Sequence, residues 1–477
     1  MFSTQQKMNT DELKIVITHA YYIRDDEKEK SIMMPYVPLG LLYISAWLEK
    51  HHLNHEVYDT TFSSQIEHVK FITEYHPDII AIYTNLMTKI NVLTLIRSIR
   101  STSSLSNSLI VLGGPDVTHN RDEYLSNGAD LIIIGEGEET MREILEWYAE
   151  NKQKHFAQIH GLAYKDPTGT VISTPVREKI KCLDDIPFPN RKKVDLLPYL
   201  KTFKTHHGYS SLSISTQRGC PYSCNWCSTS VYGQSYRRRS PENVLAEIIE
   251  MQQHYSPDQF WFVDDVFTIN FNWMREFEEL VQKRKIAIQY ECITRADRLD
   301  ENIIDLLKNS GCKTVWIGIE SGSQQILDNM NRRVLVDQST EMIVLAKRKG
   351  LKVGTFIMLG YPGETDDDII KTREFLRISS PDHFTITTVY PIKGTRLHQQ
   401  TMNDHIKGNW ASSTDKEIKF NMTYHKTYYD FAIRWIVNSI KWHQSHGKND
   451  TPFVMTLIWR LKIAISRFGM ILTRKLL

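Results

Sequence analysis

From residue 13 the chain alternates short, continuous apolar runs with stretches whose apolar residues recur every three or four positions. LKIVITHA (13–20), HEVYDT (55–60), DIIAIYT (78–84), SLIVLGG (108–114) and DLIIIGEGE (130–138) read as strands. LGLLYISAWLEKHH (39–52), QIEHVKFITEYH (65–76), INVLTLIRSIRST (90–102), RDEYLSNG (121–128) and ETMREILEWYAEN (139–151) read as helices. Continuous β-branched runs separated by helices predict a parallel sheet covered on both faces. Residues 11–150 are therefore expected to form a doubly wound, Rossmann-like α/β domain, with its ligand beyond the carboxyl ends of the strands.

Residues 151–210 read as a connector. GLAYKDPTGTVIST carries a strand–turn–strand signal, and DDIPFPNRKKVDLLPY, rich in proline, predicts an extended linker. The alternation resumes in residues 211–400, with strands expected at 211–216, 259–265, 286–293, 313–320, 352–359 and 383–390. Six βα units fit an open or partial (β/α)6 barrel, whose working residues sit at the carboxyl ends of its strands. The tail, 401–477, reads as helical.

Composition narrows the class. Of 477 residues, 41% are hydrophobic and 24% charged, ordinary for a globular chain. Lys+Arg 58 against Asp+Glu 56 leaves +2, so no global basic field points to nucleic acid. Six cysteines are too few for a disulfide framework, and neither a signal peptide nor a membrane-spanning run is legible. A reducing cytoplasm is the expected compartment.

Half of those cysteines crowd into RGCPYSCNWCSTS (218–230), where Cys220, Cys224 and Cys227 stand at C-x3-C-x2-C just past the first barrel strand. Three thiolates this close suit zinc or an iron–sulfur cluster. Zinc would want a fourth ligand, and downstream come only Cys292 and Cys312, each alone. A [4Fe–4S] cluster on three cysteines leaves one iron open to an outside ligand. A loop of buried thiols is the bland alternative.

This spacing, placed after the first strand of a (β/α) barrel, resembles the signature of the radical S-adenosylmethionine (SAM) superfamily. The resemblance implies that Cys220, Cys224 and Cys227 hold the cluster while its open iron chelates the amino and carboxylate groups of SAM. Cleavage of the sulfonium then yields methionine and a 5′-deoxyadenosyl radical that abstracts hydrogen from substrate. An electron donor such as flavodoxin or ferredoxin is implied with it. Trp226, before the last cysteine, matches an adenine-contacting position; its alternative is a loop aromatic filling core. FVDDVF places Asp264 and Asp265 at the end of the second strand, where two adjacent carboxylates need a nearby cation or donor. SAM itself or Arg295 of ITRAD is expected to supply it. GIESG puts Glu320 at the fourth strand's end, and LGYPGET puts Gly360 after the fifth, both as expected SAM neighbours. Capping or turn formation is the competing explanation for the three acids.

A doubly wound domain ahead of such a barrel resembles the cobalamin-binding domain of the cobalamin-dependent class. Asp59 and Thr61 after the second strand, Gly113 and Gly114 of GGPDVT, and Gly135 and Glu136 of GEGEET are the implied cobalamin contacts. Many such domains carry Asp-x-His-x-x-Gly, whose histidine ligates cobalt. Here DTTFSS has Thr61 and Ser64 at those places, so cobalamin is expected to bind without that histidine. Loss of the cofactor with retention of the fold is the alternative.

STQRGCPYSCNWCSTSVYGQSYRRRSPENV resembles most the subgroup of hopanoid-biosynthesis proteins and the anaerobic magnesium-protoporphyrin ester cyclase. That implies methylation of an unactivated carbon in a small-molecule or lipid-like substrate. Cyclisation or rearrangement without methyl transfer is the second reading, and a non-catalytic, zinc-stabilised binding protein the third. YRRRS (236–240) either pairs with substrate anions or forms a solvated run, and Cys182, Cys292 and Cys312 are expected as small buried hydrophobes. Arg460, Arg467 and Arg474 recur every seven residues in the final helix. Such a helix either lies peripherally in a membrane interface or docks on the barrel with its arginines outward.

Overall fold

The structure, a computed structural model, describes residues 13–150, 156–405, 408–446 and 453–474. Its first sheet contains β1 (Ile15–His19), β2 (Glu56–Tyr58), β3 (Ile79–Tyr83), β4 (Leu109–Gly113), β5 (Leu131–Ile133), β6 (Leu162–Lys165) and β7 (Val171–Ser173). The order is β2-β1-β3-β4-β5-β6-β7, parallel through β5. Order 2-1-3-4-5 reverses between β1 and β3, the switch point at which doubly wound folds open a crevice. Alternate residues feed separate cores. Ile80, Ile82, Ile110 and Leu112 point into one, while Ile79, Ala81 and Val111 point into the other. Burial on both faces is why these strands read as unbroken apolar runs. The connector's hairpin, β6–β7, adds to this sheet antiparallel, so it extends the first sheet instead of merely linking to the next.

The proline-rich stretch is not wholly extended. Leu197–His207 is helical, with Pro198 in the first turn, where its missing N–H costs nothing. Tyr199 and Phe203, four residues apart, bury one face.

The second sheet uses β8 (Ser211–Ile214), β11 (Gln259–Phe262), β12 (Tyr290–Arg295), β13 (Cys312–Glu320), β14 (Lys352–Leu359) and β15 (His383–Thr388). Between β8 and β11 lies a two-stranded ribbon of β9 (Gln217–Arg218) and β10 (Arg237–Arg238), which brackets the cysteine loop in sequence. The six-stranded order is β15-β14-β13-β12-β11-β8, and the ladders from β12 to β15 are parallel. Strands adjacent in sequence are adjacent in space, as in a half-barrel. The chain forms two compact units. One takes the described residues within Met1–Pro221, Ser228–Phe260 and Lys407–Glu417; the other takes those within Tyr222–Cys227, Trp261–Ile406 and Ile418–Leu477.

The tail is helical over Arg396–Thr401, Lys426–His446 and Phe453–Thr473. Its arginine stripe is divided. Arg467 is docked, with two 2.7 Å bonds to Asp366 and its guanidinium over Trp435, while Arg460 and Arg474 stay exposed, 5.7 and 5.8 Å over the Trp442 and Tyr424 rings. Cys292 and Cys312 are buried as expected, but Cys182 is exposed, lying just before a surface 3-10 turn. Among the described residues, no helix is long and apolar enough to cross a membrane.

Candidate functional site

In the barrel unit, the cysteine loop is pinned by the turn that follows the helix Gln324–Asn329. The Asn225 amide donates to Met330 O at 3.0 Å and its side chain to Asn329 O at 2.9 Å. Asn331 returns a bond to Ser223 O at 2.8 Å. That turn needs left-handed backbone at Asn331 and Arg333, with φ of 52° and 55°. Asparagine takes this conformation more readily than most residues. Between them Arg332 is aimed inward. Its Nη1 and Arg295 Nη1 each stand 3.6 Å from Cys224 Sγ. The Cys227 thiol donates to Cys224; that bond, then Arg332 and Arg295, outweigh burial and pull the Cys224 thiol down to about 5. The same bond holds the donor, Cys227, protonated far above its usual range. This is a pocket prepared for thiolate. Cys220 lies half-buried in the other unit, after Gly219, whose φ of +85° and 2.5 Å approach to Ser235 O admit no side chain.

Strand β13 ends in a bulge at Gly318–Glu320, and Glu320 itself adopts φ 73°. For a non-glycine residue that backbone is strained, as is common where function over-determines a position. Burial pushes its carboxyl up to about 7, against the pull of Arg332 at 3.9 Å. Gly318 has a local reason: a Cβ there would sit 2.7 Å from Arg332 Nη2, which donates to Gly318 O at 2.5 Å. Trp226 packs against Ile326, Leu327, Met330 and Tyr361 beneath the Arg332 guanidinium, so it fills core and lines the cysteine loop together. Gly360 (φ +85°) has Met422 and Tyr429 at its Cα, and its N–H donates to the buried Glu364.

Asp264 and Asp265 follow β11 instead of ending it. Asp264 is buried and Asp265 open to solvent; the surrounding protein, then the charge of Asp264, raise the Asp265 carboxyl. Arg295 is not the cation that serves them. Its fork is taken by Asp297, at 2.8 and 3.2 Å, and by Arg332 O, with the Tyr222 ring 3.9 Å below. Arg332 was invisible to sequence reading, since NRRV looks like an ordinary surface turn.

At the carboxyl ends of the first sheet, Asp59 accepts from Tyr199 OH at 2.6 Å and from the Thr61 amide at 3.0 Å, and pairs with His19 at 2.9 Å. Burial raises its carboxyl, but the His19 and Tyr199 bonds outweigh that and bring it to about 2. The Thr61 hydroxyl also meets Tyr199, at 2.7 Å. Both His19 ring nitrogens are engaged, Nε2 by Asp59 and Nδ1 by the Tyr21 amide and Thr60 hydroxyl. The histidine nearest the switch point thus has no spare nitrogen. Glu136 binds Arg218 and Arg237 at 2.7 and 2.8 Å; burial raises it, and the two arginines lower it further. Arg239 is likewise spent on Glu247, so two of the YRRRS arginines form neither a solvated run nor a free anion site.

Glycines test whether a bulky group fits here. At Gly114 (φ +115°) a Cβ would lie 2.4 Å from Thr84 O, so the turn alone demands glycine. Gly113 has no such need: a Cβ would meet only Ile133, at 3.8 Å. Its missing side chain leaves backbone bare at a strand end, as a large planar ligand requires.

Models of the radical SAM superfamily and of the B12 binding domain match residues 214–376 and 31–145. An uncharacterized methyltransferase of Pyrococcus horikoshii is 31% identical over 389 residues, 79% of this chain and 81% of that protein. A cytidylyl-2-hydroxyethylphosphonate methyltransferase of Streptomyces wedmorensis is 24% identical over 76% of this chain and 77% of its own. The hopanoid C-3 methylase of Methylococcus capsulatus is 24% identical over 74% and 67%. The cobalamin-dependent SAM radical enzyme OxsB, solved with aqua-cobalamin and SAM, shares the fold at TM-score 0.73, with 17% identity over 97% of this chain and 72% of that one. A thiolate pocket with cationic donors, a bare strand-end glycine and this shared identity agree: the chain belongs to the cobalamin-dependent radical SAM superfamily, as an enzyme whose cofactors are a [4Fe–4S] cluster, SAM and cobalamin.

Proposed function

We propose that the enzyme methylates an unactivated carbon of a small-molecule substrate, drawing on a one-electron donor of the flavodoxin or ferredoxin kind. The observation that carries the reading is the pair of guanidinium donors on Cys224 Sγ beside a strained, buried Glu320. When bound, the cluster, SAM and cobalamin supply the radical and the transferable methyl group. Cys220, Cys224 and Cys227 are the cluster's ligands in this reading. Arg295 and Arg332 offset thiolate charge at Cys224. Trp226, Asp264, Asp265, Glu320 and the Gly360 turn are the surfaces offered to SAM. Gly113, Gly114 and Gly135 offer bare backbone to cobalamin, while Asp59, Thr61 and Glu136 hold the loops that carry it through the bonds described above.

Methylation is supported by the names of the three relatives above, which share that reaction and differ on substrate, one a nucleotide phosphonate and one a hopanoid. Relatives named anaerobic magnesium-protoporphyrin IX monomethyl ester cyclases favour the cyclisation reading instead. A lipid-like substrate is the narrower form we favour, because the tail presents apolar surface. Anaerobic reconstitution is expected to load about four irons on the three-cysteine model, and reductant with SAM to yield 5′-deoxyadenosine. Cys224→Ala should abolish both. SAM with a deuterated methyl, added with the enzyme to extract from cells lacking it, should label a carbon-bound methyl in an extract compound. 5′-Deoxyadenosine without label would instead select cyclisation or rearrangement.

A further inference from the structure

The final helix, Phe453–Thr473, leaves its broadest apolar stripe outside the fold. Its inward side mixes small and polar residues with Met470, which is buried. Gly469 lies against Phe431 so closely that a Cβ would come within 2.5 Å of the ring; Ser466 and Thr473 are buried, and Arg467 pairs with Asp366. Its outward side is apolar: Val454, Leu457, Leu461, Ile465, Phe468 and Leu472 are each more than half exposed. At about 100° per residue these six fall within an arc of roughly 80°, one continuous stripe. A core-facing helix would bury such a stripe, and exposed apolar patches of this kind mark interaction surfaces.

The charges choose the occupant. The sequence from 453 to 474 contains no Asp or Glu. Arg460 and Lys462, both exposed, project about 100° to either side of Leu461, and Arg474 is exposed at the far end. A second copy docked through this face would set cationic rims against cationic rims with no acid in either helix to offset them. An anionic lipid surface satisfies both features, taking the stripe among its acyl chains and the rims among its headgroups. We propose that this helix seats the enzyme peripherally on anionic membrane, lying in the interface. The inference stands on the tail alone and does not depend on the reaction proposed above.

Flotation of the full-length protein with phosphatidylcholine vesicles, with and without phosphatidylglycerol, tests it. Binding is expected only with phosphatidylglycerol, weakened by added salt and in R460Q/K462Q, and lost in L461S/F468S. All four substituted side chains are exposed, and circular dichroism checks that the fold is retained; L461Q alone serves if the double variant unfolds. Absence of flotation, or equal flotation on phosphatidylcholine alone, would overturn the proposal. So would lipid-free sedimentation showing a dimer that L461S/F468S converts to monomer, since the stripe would then be a contact between copies.

Discussion

The two sheets treat the carboxylates at their strand ends in opposite ways. At the first sheet Asp59 and Glu136 are buried beside cations or hydroxyl donors that more than offset desolvation, and both are held below their ordinary values. At the second, Asp265, Glu320 and Glu364 are pushed up, because desolvation outweighs whatever cation is near. Asp116, raised by burial despite the Tyr124 hydroxyl, is a first-sheet exception in the turn after β4. Asp366, lowered by its bonds to Arg467, and Asp368, where burial is outweighed by the Ser323 and Thr365 bonds, are second-sheet exceptions in the helix after β14. A satisfied acid fixes a loop in place. An acid kept short of partners retains bonding capacity for something not part of the chain. The first sheet therefore offers its ligand shape, through bare backbone, and the second offers unmet polar groups.

The largest effect should come from breaking the satisfied side. Asp59→Ala takes the carboxylate from His19 Nε2 and leaves Tyr199 OH only the Thr61 hydroxyl, in buried surroundings. Loss of one member of such a network should cost about 3 kcal/mol, read as a lower midpoint for the first unfolding transition. The pH sign follows from the lowered carboxyl. Stability from Asp59 is present above its unfolded value near 3.9 and is lost as pH falls toward about 2. The wild-type and Asp59→Ala curves should therefore converge in acid. If they stay parallel, the pairing is not what holds this loop.

These particulars also show what the sequence could reveal. Parallel strands with both faces buried are local in pattern, so the alternation over 13–150 and 211–400 was legible, and so was C-x3-C-x2-C. Partners set by tertiary distance were not. Arg295 looked like company for Asp264 and Asp265 but is held by Asp297, two residues on. Tyr199, which locks Asp59 from 140 positions away, sat in what read as extended linker. Periodicity located the arginine stripe of the last helix, yet gave no sign of which face would dock. Spacing states which residues share a side, and only the neighbour decides where that side points.

A middle-sized effect belongs to Glu364, wholly buried, with Oε2 accepting from the Gly360 amide at 2.5 Å and Oε1 without a partner. Burial, eased by that one bond, raises its carboxyl to about 8. A raised carboxyl favours the fold while neutral, so its contribution is complete below the unfolded value near 4.3 and falls as pH climbs toward 8. Between about pH 5 and 7 the loss should be roughly 2 kcal/mol. Glu364→Gln keeps an acceptor for the amide and cannot ionise, so its stability should be flat over that window. A slope equal to wild type would mean that water or another group serves Oε1.

The smallest change in stability, and the sharpest contrast with Asp59→Ala, is expected at Glu320. Its left-handed backbone costs a side-chain-bearing residue about 1–2 kcal/mol, which glycine escapes at about 0.5–1 kcal/mol of extra chain entropy. Glu320→Gly also removes a carboxyl that burial disfavours in its charged form. The net should be a gain of about 1 kcal/mol in the barrel's unfolding transition. If the strain is kept for SAM, 5′-deoxyadenosine formation should fall about tenfold or more, the equivalent of one lost contact of ~1.4 kcal/mol. Glu320→Gln separates the two consequences, because it retains both side-chain bulk and φ 73°. It should lose activity and gain less stability than the glycine variant, since it sheds the disfavoured carboxyl but keeps the strain. Were Glu320→Gly instead to lower stability, the weak 3.9 Å contact with Arg332 would be holding the bulge, and Glu320 would belong with Asp59 among the satisfied acids.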